Sequence, residues 1–192
     1  MAISAKPLSW LRVPSEDEVS EQVKAEVWAT PLEKLGFVPN VLRTFALRPS
    51  HLLTWRRHMD ELMLGESGLT KAQREMIAVV VSATNRCHYC LVAHTAAVRK
   101  LTGDPVLAEQ LATNYKYAEL EPAERAMLDL AVKLTEQSHR CSPDDLEALR
   151  QAGWSYEDIF DIVEVAAMFN FTNRLASGLG WLPNDEYFTL GR

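Results

Sequence analysis

The ten residues from Asn85 to His94, written NRCHYCLVAH, hold two of the chain's three cysteines and two of its five histidines. A Cys-x-x-Cys pair can be a redox couple, half of a metal site, or two small apolar residues packed in a helix. Thiol chemistry has the most support here. The thiolate is the nucleophile, and a second thiol one helical turn away can close its oxidised product to a disulfide. Asn85-Arg86 is a natural break, because the apolar run before it stops and Asn readily leaves helical geometry. A new helix then starts near Cys87, where the helix dipole and free N–H groups favour a thiolate. On that helix Cys87, Cys90 and His94 fall within a sector of about 60°, so imidazole and thiols share one stripe. His94, one turn beyond Cys90, can accept a proton from it or pass one through water.

Positioning these groups requires a second helix. The apolar stretch MIAVVV follows Thr70 and Gln73, which are spaced as a capping box. It therefore reads as a helix over 70–84 that forms a hairpin with 87–101. Glu75 lies about ten residues before the turn and His94 about eight after it. At a rise of about 1.5 Å per residue their heights differ by only about 3 Å. Glu75 can then face His94 and orient its ring. With so little solvated face, helix 70–84 must be central or covered by a partner.

The rest of the chain also reads as helix, with no hairpin turns and no sustained alternation. N-cap, Pro and Gly signals place helices at 16–35, 39–47, 50–64, 70–84, 87–101, 105–114, 122–138, 143–152 and 156–178. The fold class is all-α, one domain over 1–192, with a short irregular tail from Gly180 to Arg192. Segments 70–86 and 155–171 align without a gap at an offset of 85, pairing Ile77 with Ile162, Val80 with Val165 and Asn85 with Asn170. A duplicated helical unit would produce this echo, and so would two similar amphipathic helices.

Composition narrows the function classes. The net charge of −6 and pI near 5.4 argue against a nucleic-acid or anionic-membrane surface. The N-terminal stretch MAISAKPLSWLRVPSEDEV lacks the apolar core of a signal peptide, and no apolar run approaches membrane-spanning length. An odd cysteine count speaks against a secreted disulfide framework and makes the cytoplasm the expected compartment. A zinc site would need a second ligand pair, and the chain contains no second CxxC and no HxxxH. His51 and His58 would have to converge from elsewhere. Cys141 reads as incidental, His88 as facing solvent or the hairpin partner. Trp28, Trp55, Trp154 and Trp181 read as core or interface anchors.

Glu75 followed by Cys87-x-x-Cys90-x-x-x-His94, inside EMIAVVVSATNRCHYCLVAH, resembles the alkyl hydroperoxidase D (AhpD)-like branch of the carboxymuconolactone decarboxylase superfamily. The match is strongest over about 70–105. AAMFNFTNRLASGLG resembles that family's closing segment, and SWLRVPSEDEV with GFVPNVLRTFALRP resembles its peroxidase-related group. The resemblance implies an AhpD-like helical bundle with an internal duplication: a CxxC-bearing core over about 66–180 and an N-terminal helical extension over about 1–65. It implies a thiol hydroperoxidase without a cofactor, reduced by an external dithiol such as dihydrolipoamide, serving a peroxiredoxin in some members. It also implies a homo-oligomer: dimer, trimer or hexamer. Carried onto this chain, Cys90 attacks the peroxide, Cys87 resolves it, and Glu75 with His94 relays protons. Helix-dipole reasoning favours Cys87 as the attacking thiol and proximity to His94 favours Cys90; the assignment rests with Cys90. The best-known AhpD proteins carry His just before the second cysteine. Here Tyr89 stands there, with His88 one place earlier, so both are auxiliary candidates. A protein disulfide reductase, a thiol redox sensor and a lactone decarboxylase-like enzyme are the rival readings.

Overall fold

A computed structural model describes residues 7–192; the first six residues of the N-terminal stretch lie outside it. The described residues are helical with no strand. In chain order the helices are α1 (Glu21–Val23), α2 (Ala29–Leu35), α3 (Asn40–Phe45), α4 (Pro49–Leu64), α5 (Lys71–Thr84), α6 (His88–Thr102), α7 (Pro105–Asn114), α8 (Pro122–Gln137), α9 (Pro143–Gln151) and α10 (Tyr156–Gly178). The all-α fold class and most expected boundaries hold. The single helix expected over 16–35 does not. Val19 adopts extended geometry and buries its side chain, and Ser20 restarts the helix by accepting from the Val23 N–H. A π-helical stretch, Lys24–Trp28, then joins α1 to α2.

α5 is the centre of the bundle. Thr70 Oγ1 accepts from the Gln73 N–H at 3.2 Å, and Gln73 Oε1 accepts from the Thr70 N–H at 3.0 Å. Two otherwise orphaned donors at the helix start are thereby satisfied. Met76, Ile77, Ala78, Val79, Val80 and Val81 are all buried, packed among α6, α8 and α10. Each large apolar side chain so buried contributes about 1.5–3 kcal/mol. Arg74 is also buried, yet its guanidinium donates to the carbonyls of Leu62, Gly65 and Leu69. A buried cation needs such partners, and these tie α5 to the loop entering it.

The turn into α6 fixes the site. Asn85 caps α5 in helical geometry, and Arg86 then takes φ 54°, the left-handed region. This reversal aims the chain back along α5 and leaves Cys87 as the N-cap of α6. Trp28, Trp154 and Trp181 are core residues. The N-terminal helices form their own apolar cluster around Val23, Leu42 and Leu52. A third cluster surrounds the cysteines and draws in Trp181 and Tyr187 from the C-terminal tail. The tail is held by Arg99, whose Nη2 donates to the Tyr187 carbonyl at 2.8 Å and whose Nε donates to that of Leu190 at 3.1 Å. Where the tail leaves α10, Gly180 has φ 63°, and a Cβ there would strike the Trp10 indole.

Candidate active site

The α5–α6 hairpin brings Glu75 and His94 face to face. Glu75 Oε2 lies 2.6 Å from His94 Nδ1, with both side chains largely shielded from solvent. A carboxylate at Nδ1 fixes the imidazole with its proton on that nitrogen, leaving Nε2 free to accept. Phe169 of α10 meets the ring edge-on at 4.6 Å and restricts its tilt.

Cys87 and Cys90 are reduced, buried and adjacent. The Cys90 thiol donates toward the Cys87 sulfur, and the Cys90 backbone N–H and Ser177 hydroxyl also face it. These donors lower the Cys87 pKa to about 6 despite its burial. As the N-cap of α6, Cys87 sits in the helix-dipole field, though its sulfur makes no cap hydrogen bond of ordinary length. Cys90 shifts the other way: its proton is held by Cys87, and burial adds to the effect. The two thiols behave as one unit that gives up its first proton readily and its second with difficulty.

Access distinguishes them. A cavity of about 450 Å³ is lined by Cys90, His94, Glu75 and Tyr89, whereas Cys87 does not line it. The remaining wall is mainly apolar, with Val41, Trp55, Met59, Phe169 and Trp181 among its residues. Tyr89 points inward, its oxygen accepting the Val41 N–H at 3.0 Å. His88 is exposed, its ring 6.5 Å from that of Phe188. His51 pairs with Arg48 and His58 with Glu164, both away from the cavity. Cys141 is exposed in the turn before α9.

Four neighbours of the cysteines are not among the site residues expected from the sequence, although Thr172, Asn173 and Ser177 lie within the stretch AAMFNFTNRLASGLG. Thr172 and Asn173, from the C-terminal half of α10, face the Cys90 sulfur. Asn173 Nδ2 also donates to Ser82 Oγ at 3.0 Å, and its Oδ1 accepts from Asn85 Nδ2 at 2.9 Å. Ser177 serves Cys87, and Tyr187 of the tail lines the cavity. One signal was available for Asn173. Asn170, the partner of Asn85 in the 85-residue echo, does meet Asn85, at 3.0 Å, and Asn173 lies one turn further on.

Residues 49–112 match the carboxymuconolactone decarboxylase family. The chain is similar over its whole length to the crystal structure of an uncharacterized peroxidase-related protein from Silicibacter sp. TM1040. The two are 44% identical, each is covered at 100%, and the TM-score is 0.94. A peroxidase-related protein from Ralstonia eutropha JMP134, described as an alkylhydroperoxidase AhpD core, is 42% identical over 98% of both chains with a TM-score of 0.94. The uncharacterized protein YdfG of Bacillus subtilis (strain 168) is 26% identical over 118 residues, 60% of this chain and 78% of that protein. With the motif, the fold and these full-length relatives in agreement, the chain belongs to the AhpD-like, peroxidase-related branch of the carboxymuconolactone decarboxylase superfamily.

Proposed function

We propose that the protein is a thiol-dependent hydroperoxidase in which Cys90 is the attacking sulfur and Cys87 the resolving one. The observation that carries this reading is the convergence of Cys90 and the Glu75–His94 pair on one apolar cavity, beside a cysteine poised as thiolate. His94 Nε2 takes the Cys90 proton, and Glu75 stabilises the imidazolium. The Cys90 thiolate attacks the terminal peroxide oxygen, the O–O bond breaks, and the proton returns to the leaving oxygen. The products are a sulfenic acid on Cys90 and an alcohol, or water from hydrogen peroxide. Cys87 thiolate then attacks the Cys90 sulfur, forming the disulfide and expelling hydroxide, which is protonated to water.

An external dithiol closes the cycle. Its thiolate enters the cavity, attacks Cys90 and displaces Cys87, the better leaving group because of its low pKa. The second thiol of the reductant then attacks the mixed disulfide, freeing Cys90 and leaving the reductant oxidised. Both cysteines lie beneath the surface, which favours a slender reductant such as dihydrolipoamide over a folded protein disulfide. No helix among the described residues is long and apolar enough to cross a membrane, and a cytoplasmic site of action accords with a reduced dithiol. Homo-oligomerisation is part of the same reading: Tyr156, Phe160 and Phe171 leave an exposed apolar stripe along α10.

Thiol counting before and after excess tert-butyl hydroperoxide tests the proposal. The wild type should lose two thiols per chain while Cys141 stays free. Cys90→Ser should form no intrachain disulfide and consume no peroxide. Full activity in that variant would sink the thiol mechanism and turn attention to acid–base chemistry of the lactone decarboxylase kind.

A further inference from the structure

The peroxidase reading leaves a gap in the wall of the site. When the O–O bond breaks, negative charge develops on the leaving oxygen. Where the best-known AhpD proteins have a histidine before the second cysteine this chain has Tyr89, whose oxygen is already engaged by the backbone. The Tyr89 oxygen accepts the Val41 N–H at 3.0 Å and lies beside the Tyr187 phenol.

Tyr187 comes from the short 3-10 turn Asp185–Phe188 of the tail and lines the same cavity as Cys90, Glu75 and His94. Its ring is fixed edge-on against Phe37, with centroids 5.2 Å apart and planes at 84°, and its carbonyl is clamped by the buried Arg99. Among the described residues the Tyr187 hydroxyl makes no hydrogen bond to a carboxylate or carbonyl, so its proton can be given to what enters the cavity. Burial, with Glu75 and Glu186 nearby, holds that phenol protonated at any working pH. The phenol is therefore a preorganised donor in the wall of a mainly apolar cavity, an arrangement that stabilises developing charge.

We infer that Tyr187, positioned by Tyr89, Phe37 and Arg99, is the hydrogen-bond donor to the leaving oxygen of the hydroperoxide. This inference rests on the peroxidase reading above. No electrons pass through the phenol. Sulfur is oxidised, the terminal oxygen goes to Cys90, and the leaving alkoxide is held by Tyr187 until it takes the proton that His94 removed from the thiol. The C-terminal tail then supplies a catalytic group.

The test compares two oxidants that differ in how much their leaving groups need a donor. tert-Butyl hydroperoxide expels a strongly basic alkoxide, whereas peracetic acid expels acetate, which needs little help. Rates of Cys90 oxidation are measured in a Cys141→Ser background with and without Tyr187→Phe, alongside alkylation by iodoacetamide. The Phe variant keeps the ring against Phe37 and the carbonyl on Arg99. It should slow the alkyl hydroperoxide roughly 100-fold or more and leave peracetic acid and iodoacetamide within about twofold of the parent. Equal slowing of all three reagents would make Tyr187 a structural residue, and no slowing of any would make it a bystander; either result overturns the inference. If the parent protein itself reacts with iodoacetamide but with neither peroxide, the peroxidase reading fails and takes this inference with it.

Discussion

Segments Thr70–Arg86 and Ser155–Phe171 start in the same way and finish differently. Each opens on a hydroxyl cap with a reciprocal partner three residues on, Thr70 with Gln73 and Ser155 with Asp158. Each buries an apolar stripe, and the two helices cross so that Asn85 and Asn170 hydrogen-bond. α5 then stops: Arg86 turns left-handed, and Cys87 begins a new helix. α10 does not stop. It runs on through Thr172, Asn173 and Ser177 to Gly178. The break supplies a helix N-terminus and its thiolate-favouring field. The unbroken copy supplies hydroxyl and amide groups to the same two sulfurs from the opposite side. The candidate site therefore lies between one interrupted helix and one continuous helix.

The largest expected effect tests the interrupted side. In Cys141→Ser protein, thiolate absorbance near 240 nm should rise with a midpoint at about pH 6 as one thiol per chain ionises. The shift is downward, so the thiolate is present above that midpoint and lost as pH falls through it. The second thiol should stay protonated well beyond the ordinary cysteine range, about 8.5. Two thiols titrating together near 8.5 would remove the distinction between the helix-start cysteine and its neighbour.

An intermediate effect tests the continuous side. Asn173→Ala strands the buried Ser82 hydroxyl, leaves the Asn85 amide with Asn170 alone and withdraws a donor from Cys90. Unfolding in urea should show a loss of about 1–3 kcal/mol, and Cys90 alkylation should slow while the pH 6 midpoint stays near its place. A stability loss with no change at Cys90 would reduce α10 to scaffolding.

The smallest effect concerns the turn itself. Arg86 is exposed and carries a left-handed backbone that glycine adopts without strain. Arg86→Gly should gain about 0.5 kcal/mol, the strain relief exceeding the entropy added to the unfolded chain. Peroxide oxidation should be unchanged. A loss of activity would show that the turn's stiffness, beyond its direction, sets the thiol geometry.

Much of this arrangement was legible in the sequence, because it depends on short-range periodicity. Capping pairs, the apolar run of α5 and the break at Asn85-Arg86 are local signals, and they fix a hairpin. Two helices of known rise in a hairpin dictate that Glu75 and His94 stand level, as their 2.6 Å contact shows. The division of the N-terminal helix at Val19 was not legible, since it depends on where that side chain finds burial. Local chemistry also left open which cysteine reacts. The dipole of α6 acts on Cys87, but only the packed bundle shows that the cavity reaches Cys90 and not Cys87.

The sequence by itself determined the class of fold, the hairpin and the four residues Glu75, Cys87, Cys90 and His94 as one cluster, all through contacts within about twenty positions of one another. The tertiary structure alone decided that Thr172, Asn173, Ser177 and Tyr187 surround them. Those residues lie about 80 to 100 positions away along the chain. No periodicity reaches that far, and their place at the sulfurs is set by how α10 crosses α5 and by Arg99 holding the tail.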